Sequence, residues 1–228
     1  MLDMQRFERE GFAITPSLLP IEEITSLITL IEAHVAPAQK RGGVRDIMTR
    51  VPQLRAVADA PALREIVSQV LGAEAVVIRS TLFDKTDGAN WKVPWHQDVT
   101  IAVRERVESE GYGPWSTKEG IVHVQPPTEV LQNMVTIRVH LDACPASNGA
   151  LRIMPSTHHL GRINQNDAPD HVIEADAVCC KAAAGEALVM RPLLLHASSV
   201  ATNPLHRRVL HFDYAATTLP NGLRFALA

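Results

Sequence analysis

The sequence has little that would build a disulfide framework or cross a membrane. Its three cysteines, Cys144, Cys179 and Cys180, are an odd number with two adjacent, and they lack the C-x-x-C spacing of zinc sites. No apolar run approaches the roughly 20 residues that span a bilayer. The N-terminus is charged where a signal peptide is apolar. We therefore expect reduced thiols, a cytoplasmic location and no membrane partner.

An excess of either charge is also missing. The 22 Lys and Arg residues against 25 Asp and Glu residues give a formal net charge of -3, and the signs are mixed along the chain. No basic stripe is available for phosphates, so we expect no nucleic-acid partner. Hydrophobic residues make up 46% of the 228 residues, which is enough for one sizeable core. We expect one domain over residues 1–228, as a monomer or homodimer.

The predicted secondary structure changes from helices to strands near residue 76. Two segments, 21–35 and 61–71, are predicted to be helical. The first has apolar residues at helical spacing and acidic residues in its first turn, and the second has a proline in its first turn and a glycine after its end. From residue 76 onward, short β-branched or alternating segments predict about eight strands. Helices followed by strands favour an antiparallel sheet or barrel over 76–228, with helical support from 1–75 packed outside. Residues 104–127 are predicted to be an irregular, lid-like insertion.

A candidate metal site begins with the stretch "WHQD". His96 and Asp98 are two residues apart in a segment that alternates like a strand, so both side chains point to the same face. The pattern alone is common by chance. His196, at the end of a distant apolar strand, completes a set of two histidines and one carboxylate, which is typical of non-haem iron(II) enzymes. Arg207 lies eleven residues after His196 and could bind a carboxylate through two parallel hydrogen bonds.

This combination resembles the phytanoyl-CoA dioxygenase family of iron(II)- and 2-oxoglutarate-dependent oxygenases. The family pattern is W-H-x-D, then a distal histidine, then an arginine about eleven residues later. The stretches "FEREGFAITPSLLPIEEI" and "LDACPASNGALRIMPSTHHLG" are also similar to that family. The resemblance implies a mainly β, double-stranded β-helix fold, the jelly-roll barrel of cupin-like proteins. In it, His96 and Asp98 would begin one barrel strand, and His196 would lie on a facing strand.

The resemblance also implies cofactors and a reaction. Fe(II) would be held by His96, Asp98 and His196, 2-oxoglutarate would chelate the metal, and Arg207 would bind its distal carboxylate. Dioxygen would be consumed, 2-oxoglutarate would be decarboxylated to succinate, and a C–H bond of a small-molecule substrate would be hydroxylated. Related halogenases have a small residue in place of the aspartate, so Asp98 favours hydroxylation.

Further residues are candidates for the 2-oxoglutarate site. In the resembled family, a serine at the position of Ser198 lies near the co-substrate. An equal alternative is that Ser198 only forms a hydrogen bond with a nearby backbone group. Thr136 and Arg138 share one face of a strand that is otherwise apolar, and such polar side chains need partners if buried. The family often has a tryptophan at the position of Arg138. Arg207 is preferred to its neighbour Arg208 by the spacing, and alternation turns only one of the two inward.

The substrate contacts are less specified by the sequence. The candidates are four residues near the predicted lid or among the remaining cations: Trp115, His123, Gln125 and Arg45. Lys85 is expected to be a solvated surface charge. Most of the other histidines are expected to lie on the surface or behind the metal ligands, since one iron needs only two.

Two other interpretations remain open from the residues. A cupin-type metal-dependent enzyme would use a similar barrel without 2-oxoglutarate and would not need Arg207. A non-catalytic small-molecule-binding barrel would retain the fold, but we would then expect at least one of the three candidate ligands to be absent.

Overall fold

Two antiparallel sheets stack face to face in this computed structural model, which describes residues 2–35, 43–202 and 206–227. The strands in these ranges are β1 Phe12–Ile14, β2 Val44–Arg45, β3 Val76–Lys85, β4 Val93–His96, β5 Ile101–Val103, β6 Trp115–Lys118, β7 Ile121–Val124, β8 Met134–His140, β9 Leu151–Ile153, β10 Val178–Cys180, β11 Ala187–Met190, β12 His196–Ser198 and β13 Arg207–Ala215.

The larger sheet has six strands in the order β1-β11-β8-β13-β3-β2, and the smaller has four in the order β10-β9-β12-β4. Their facing surfaces pack together through an apolar cluster in which Leu188 and Met190 of the larger sheet meet Ile153 and Leu194. Burial of such side chains is the main stabilising term for a two-sheet barrel. The expected jelly-roll architecture is confirmed.

Helices cover the outer face of the larger sheet. They are α1 Met4–Glu10, α2 Ile21–His34, α3 Ile47–Arg50, α4 Arg55–Ala58 and α5 Pro61–Leu71. A further helix, α6 Thr128–Gln132, packs through Leu131 in another apolar cluster, which contains Ile101 and Val124. The α5 boundaries agree with the prediction, because Pro61 suits the first turn and Gly72 ends the helix. Helix α1 was not predicted, although its caps are readable: Asp3 accepts from the Arg6 amide, and Gly11 has φ 82°. No helix in the described ranges is long and apolar enough to cross a membrane.

Strict alternation in the two longest central strands separates the helix-packed core from the barrel interior. Ile137 of β8 and Phe212 of β13 pack in the cluster beneath the helices. Their neighbours Arg138 and His211 are paired across the two strands and point the other way. The barrel interior is therefore lined by polar and charged side chains.

Two sequence predictions about strands are wrong. The alternating run at 93–103 is divided into β4 and β5, so His96 ends a strand and Asp98 lies beyond it. The 104–127 segment is not irregular, because β6 and β7 form a hairpin that pairs with β5 as a third sheet. Its turn uses Glu119 at φ 53° and Gly120 at φ 80°, the positive values that two-residue hairpin turns require.

Candidate metal centre and adjoining cavity

Pairing of β4 with β12 brings the two candidate histidine ligands together. His96 and His196 are direct Cα partners in the register, and their ring centroids lie 4.1 Å apart. His196 is therefore on a neighbouring strand of the same sheet, not on a facing one as expected. Asp98 completes the group, with its carboxylate oxygens 4.0 Å from His96 Nε2 and 3.7 Å from His196 Nε2. One ligand atom from each residue lies within 4.8 Å of the others.

Backbone hydrogen bonds fix the orientation of both imidazoles. His96 Nδ1 donates to the Pro94 carbonyl and His196 Nδ1 donates to the Leu194 carbonyl, each at 2.9 Å. A nitrogen facing a carbonyl oxygen must carry a proton, so in the neutral form of each ring Nε2 is the nitrogen that presents a lone pair beside Asp98. Such backbone partners are the usual means by which metal-binding histidines are oriented.

The segment between the ligands is held by Gln97, a residue whose role the sequence did not reveal. Its buried side chain donates to the carbonyls of Leu193 at 2.6 Å and Gly161 at 2.8 Å, and it accepts from the Ile163 amide at 2.8 Å. The Asp98 amide donates to the Pro192 carbonyl at 2.9 Å. These bonds explain how Asp98 keeps a fixed position outside a strand.

The charge states of the three residues suit a divalent cation. Burial acts to raise the pKa of Asp98, but His196, His96 and Arg79 outweigh it and lower that pKa to about 2. Burial, with the neighbouring His96, lowers the pKa of His196 to about 3. At neutral pH the site is thus a carboxylate beside at least one neutral imidazole, and this donor set fits an iron(II) ion with coordination positions left for other ligands.

A second cluster occupies the barrel interior at the start of β13. Arg207 and Lys85 are Cα partners, and both are buried. Lys85 Nζ lies 2.8 Å from Ser198 Oγ, and Arg207 Nη1 lies 3.4 Å from the same oxygen. Arg207 also donates to the Gly149 carbonyl. The expectation that Lys85 is a surface charge is wrong, because its position opposite Arg207 encloses it completely.

Arg208 points away from this interior. It forms a two-point ion pair with Asp142, at 2.8 Å for each bond, and a further bond of 2.5 Å to Glu32. Strand alternation thus places adjacent arginines on opposite faces of β13.

Arg138 and Thr136 belong to a buried hydrogen-bond network in the barrel interior. Arg138 Nη1 donates to His211 Nδ1 at 2.9 Å, and His211 Nε2 donates to Asp213 Oδ1 at 3.1 Å. Thr136 donates to the same carboxylate at 2.6 Å. Asp213 is thus occupied by its own donors, Arg79 among them.

Three interior cations in this region lack a carboxylate partner among the described residues. Lys85, Arg138 and Arg207 form no ion pair there within 4.0 Å, and the Nε atoms of both arginines are buried without a hydrogen-bond partner. Burial lowers the pKa of Lys85 to about 8 and that of Arg138 to about 10. Buried cations need compensating anions. The interior therefore fits a small dianion such as 2-oxoglutarate.

A cavity of about 170 Å³ lies beside Asp98. Of the predicted substrate contacts, Arg45 and His123 line it, and Lys118, which was not predicted, lines it too. Trp115 and Gln125 do not. Trp115 pairs with Val124 on the opposite face of the β5-β7-β6 sheet and packs in an apolar cluster there, so it is turned away from the cavity.

Of the eight remaining histidines, three lie in the interior and five do not. His123, His140 and His211 are buried. Burial lowers the pKa of His140 to about 3. The other five, His34, His158, His159, His171 and His206, are partly or fully exposed.

Comparison with known proteins agrees with this geometry. The family model described as phytanoyl-CoA dioxygenase (PhyH) matches residues 7–209. The search of curated protein sequences gave no match.

Solved structures share the fold at low sequence identity. EctD from S. alaskensis, in its apo form, has 16% identity and a TM-score of 0.71, with 95% of this chain and 77% of that chain covered. HygX from Streptomyces hygroscopicus, with iron bound, has 14% identity and a TM-score of 0.69, with 95% and 86% covered. SnoK, a non-haem alpha-ketoglutarate-dependent carbocyclase from nogalamycin biosynthesis, has 16% identity and a TM-score of 0.69, with 92% and 81% covered.

Proposed function

Since the chain belongs to the phytanoyl-CoA dioxygenase family and is accordingly an iron- and 2-oxoglutarate-dependent oxygenase, we propose that it hydroxylates a C–H bond of a small-molecule substrate. The reaction would consume dioxygen and convert 2-oxoglutarate to succinate and carbon dioxide. The two alternatives left open by the residues, an enzyme independent of 2-oxoglutarate and a non-catalytic barrel, do not agree with the family.

The residues divide into three groups with distinct tasks. His96, Asp98 and His196 would hold the iron(II), which when bound supplies the activation of dioxygen coupled to decarboxylation. Arg207, with Lys85 and Ser198, would bind the distal carboxylate of 2-oxoglutarate.

The groups around these two sites orient and enclose the reactants. Arg138 would contribute positive charge along the path between the metal and Arg207, while Thr136 keeps Asp213 in place beneath it. The cavity beside Asp98 would orient the substrate and keep bulk water from the reacting C–H bond.

The observation that carries the use of 2-oxoglutarate at these residues is the set of buried cations without a carboxylate. Burying a charge such as that of Lys85 without an ion-pair partner costs on the order of several kcal/mol, and an anion bound beside it would offset this cost. A dicarboxylate that reaches the metal with one end and Arg207 with the other supplies the missing charge. A cupin-type enzyme without this co-substrate would have no use for the cluster.

Asp98 favours hydroxylation, because related halogenases have a small residue in its place. The fold does not decide the reaction by itself. Among the structural relatives, SnoN is described as an epimerase and SnoK as a carbocyclase.

The test combines a substrate screen with isotope labelling. Purified protein with iron(II), 2-oxoglutarate and candidate small molecules should release succinate, and under ¹⁸O₂ the product should gain one labelled oxygen atom. Succinate release with a product that lacks the label would contradict hydroxylation but not the 2-oxoglutarate dependence. Turnover of a substrate without 2-oxoglutarate would contradict both.

A further inference from the structure

The cavity beside Asp98 limits the size of any substrate. Its volume of about 170 Å³ is below the roughly 300–1,000 Å³ of pockets that enclose drug-sized ligands. Asp98, at one wall, places the reacting end of a bound molecule near the metal group. Only a small molecule, or one end of a larger one, can be enclosed there.

The cationic groups that line this cavity differ in whether they have partners. Arg79 forms an ion pair with Asp213 inside the barrel. Arg45 forms one of 2.8 Å with Glu119, at the tip of the β6-β7 hairpin. Lys118, which precedes Glu119, has no ion pair within 4.0 Å and no hydrogen bond to any part of the chain that the structure describes.

Once these pairs are counted, Lys118 is the cation lining the cavity that has no ion-pair partner among the described residues. Burial lowers its pKa, and the nearby charges of Arg45 and Arg79 lower it further. The negative charge of Asp98 acts to raise the pKa of Lys118, but this carboxylate would be a ligand of the metal. Asp46 also lines the cavity, yet it does not come within ion-pair distance of Lys118. Lys118 is a largely exposed residue that lines this cavity, and its ammonium group has no anionic partner within 4.0 Å in the described part of the chain.

Strand pairing keeps Lys118 on the cavity side of the hairpin. Lys118 is paired with Ile121 and Ser116 with His123, and both Ile121 and His123 line the cavity. The ion pair between Arg45 and Glu119 fastens the hairpin tip to strand β2 of the larger sheet. This ion pair therefore restrains the hairpin that carries Lys118.

His123 adds a neutral polar group on the same wall. Its Nδ1 donates to the Ile121 carbonyl at 3.0 Å, so Nε2 carries the lone pair, and burial lowers the pKa of the ring to about 4. A neutral imidazole can accept a hydrogen bond from a hydroxyl or amide N–H of a ligand.

We propose that the substrate is a small anionic molecule whose carboxylate or phosphate binds Lys118, with a hydrogen-bond donor accepted by His123, while the C–H bond to be oxidised lies towards Asp98. This inference rests on the proposed function, because it assigns the substrate class of the same site. It makes Lys118 the residue that selects acids over neutral analogues.

The test measures binding with defined probes instead of turnover. Protein loaded with zinc(II) and 2-oxoglutarate, which cannot react, is titrated by calorimetry with matched pairs of small molecules. Each carboxylic acid is compared with its primary amide, using hexanoate, benzoate, phenylacetate and N-acetyl amino acids. Phenyl phosphate against phenol forms a separate arm that distinguishes phosphate from carboxylate recognition.

We expect at least one acid to bind about ten- to a hundredfold more tightly than its amide, the range given by one charge-assisted hydrogen bond. Lys118→Met should remove that preference, and Lys118→Arg should retain part of it. The matched control is Lys92→Met, which removes an exposed lysine away from the cavity and should keep the full preference. His123→Phe should weaken only probes that carry a hydroxyl or N–H group.

Three results would overturn the inference: no acid binds at millimolar concentration, acids and amides bind equally, or Lys118→Met keeps the preference. Binding of 2-oxoglutarate itself is measured in the same protein beforehand. A protein that selects acids through Lys118 but does not bind 2-oxoglutarate would contradict the proposed function alone. One that binds 2-oxoglutarate but shows no acid preference would contradict only this inference.

Discussion

Lys85 and Arg207 lie directly opposite each other on β3 and β13, and both reach the hydroxyl group of Ser198, at 2.8 Å and 3.4 Å. Two buried cations that share a neutral partner repel each other, and the positive charge of Arg207 contributes to the lowered pKa of Lys85. An anionic ligand would turn this repulsion into attraction. We therefore expect 2-oxoglutarate binding to stabilise this pair.

Lys85→Met should weaken the binding of 2-oxoglutarate by about ten- to a hundredfold, since one charge-assisted hydrogen bond is lost while the apolar part of the side chain is kept. The measurement is the dissociation constant by calorimetry with the metal saturating. Lys92→Met is the control, because Lys92 is exposed outside the barrel. Equal affinity in wild type and Lys85→Met would show that Lys85 does not contact the co-substrate.

The affinity for 2-oxoglutarate should depend on pH through the same residue. Burial, and then Arg207, lower the pKa of Lys85 from its ordinary value to about 8 in the free protein, and a bound dianion raises it again. Below pH 8 the amine is already charged and the affinity is flat. Above pH 8 binding must take up a proton, so the affinity falls by about tenfold per pH unit.

Lys85→Arg tests the origin of this pH dependence. A guanidinium stays protonated throughout the range, so the fall above pH 8 should disappear even if the affinity itself changes. Titrations at several values between pH 6.5 and about 9.5 provide the comparison. An unchanged profile in Lys85→Arg would assign the pH dependence to another group.

Arg207→Lys should weaken 2-oxoglutarate binding about ten- to a hundredfold although the charge is kept, because an ammonium cannot reproduce the planar two-point contact. Arg208→Lys is the matched variant on the next residue. It should leave the affinity nearly unchanged and instead lower the free energy of unfolding by about 1–3 kcal/mol, since it breaks the two-point pair with Asp142. The opposite pattern would mean that the two side chains have exchanged faces.

Replacing His96, Asp98 or His196 by alanine should abolish iron-dependent turnover and leave the fold largely intact, because each change removes one of three protein bonds to the metal. The iron content of purified protein and succinate formation are the readouts. His123→Ala should bind iron as well as wild type does, since His123 is hydrogen-bonded to Ile121 and lies outside the ligand group. Full activity in His196→Ala would refute the assignment.

Much of this protein was determined by local sequence pattern. The alternation that turns Arg207 and Arg208 to opposite faces of β13 is a property of any extended chain, so it can be predicted without knowing what surrounds the strand. Helix α5 was predicted at its correct ends, because Pro61 and Gly72 act through their own backbone conformations. His96 and Asp98 likewise face the same site, as their spacing of two residues predicted, although strand β4 ends at His96.

Only the tertiary structure decided which charges are buried. From the sequence, Lys85 is predicted to be a surface lysine. Its neighbours in the chain do not show that Arg207, which is 122 positions later, pairs directly opposite it. Trp115 and Lys118 lie in one short strand, yet the pairing of β6 with β7 turns Trp115 towards an apolar cluster and Lys118 towards the cavity. Burial depends on what packs from the other side, and the segments that pack there are distant in sequence.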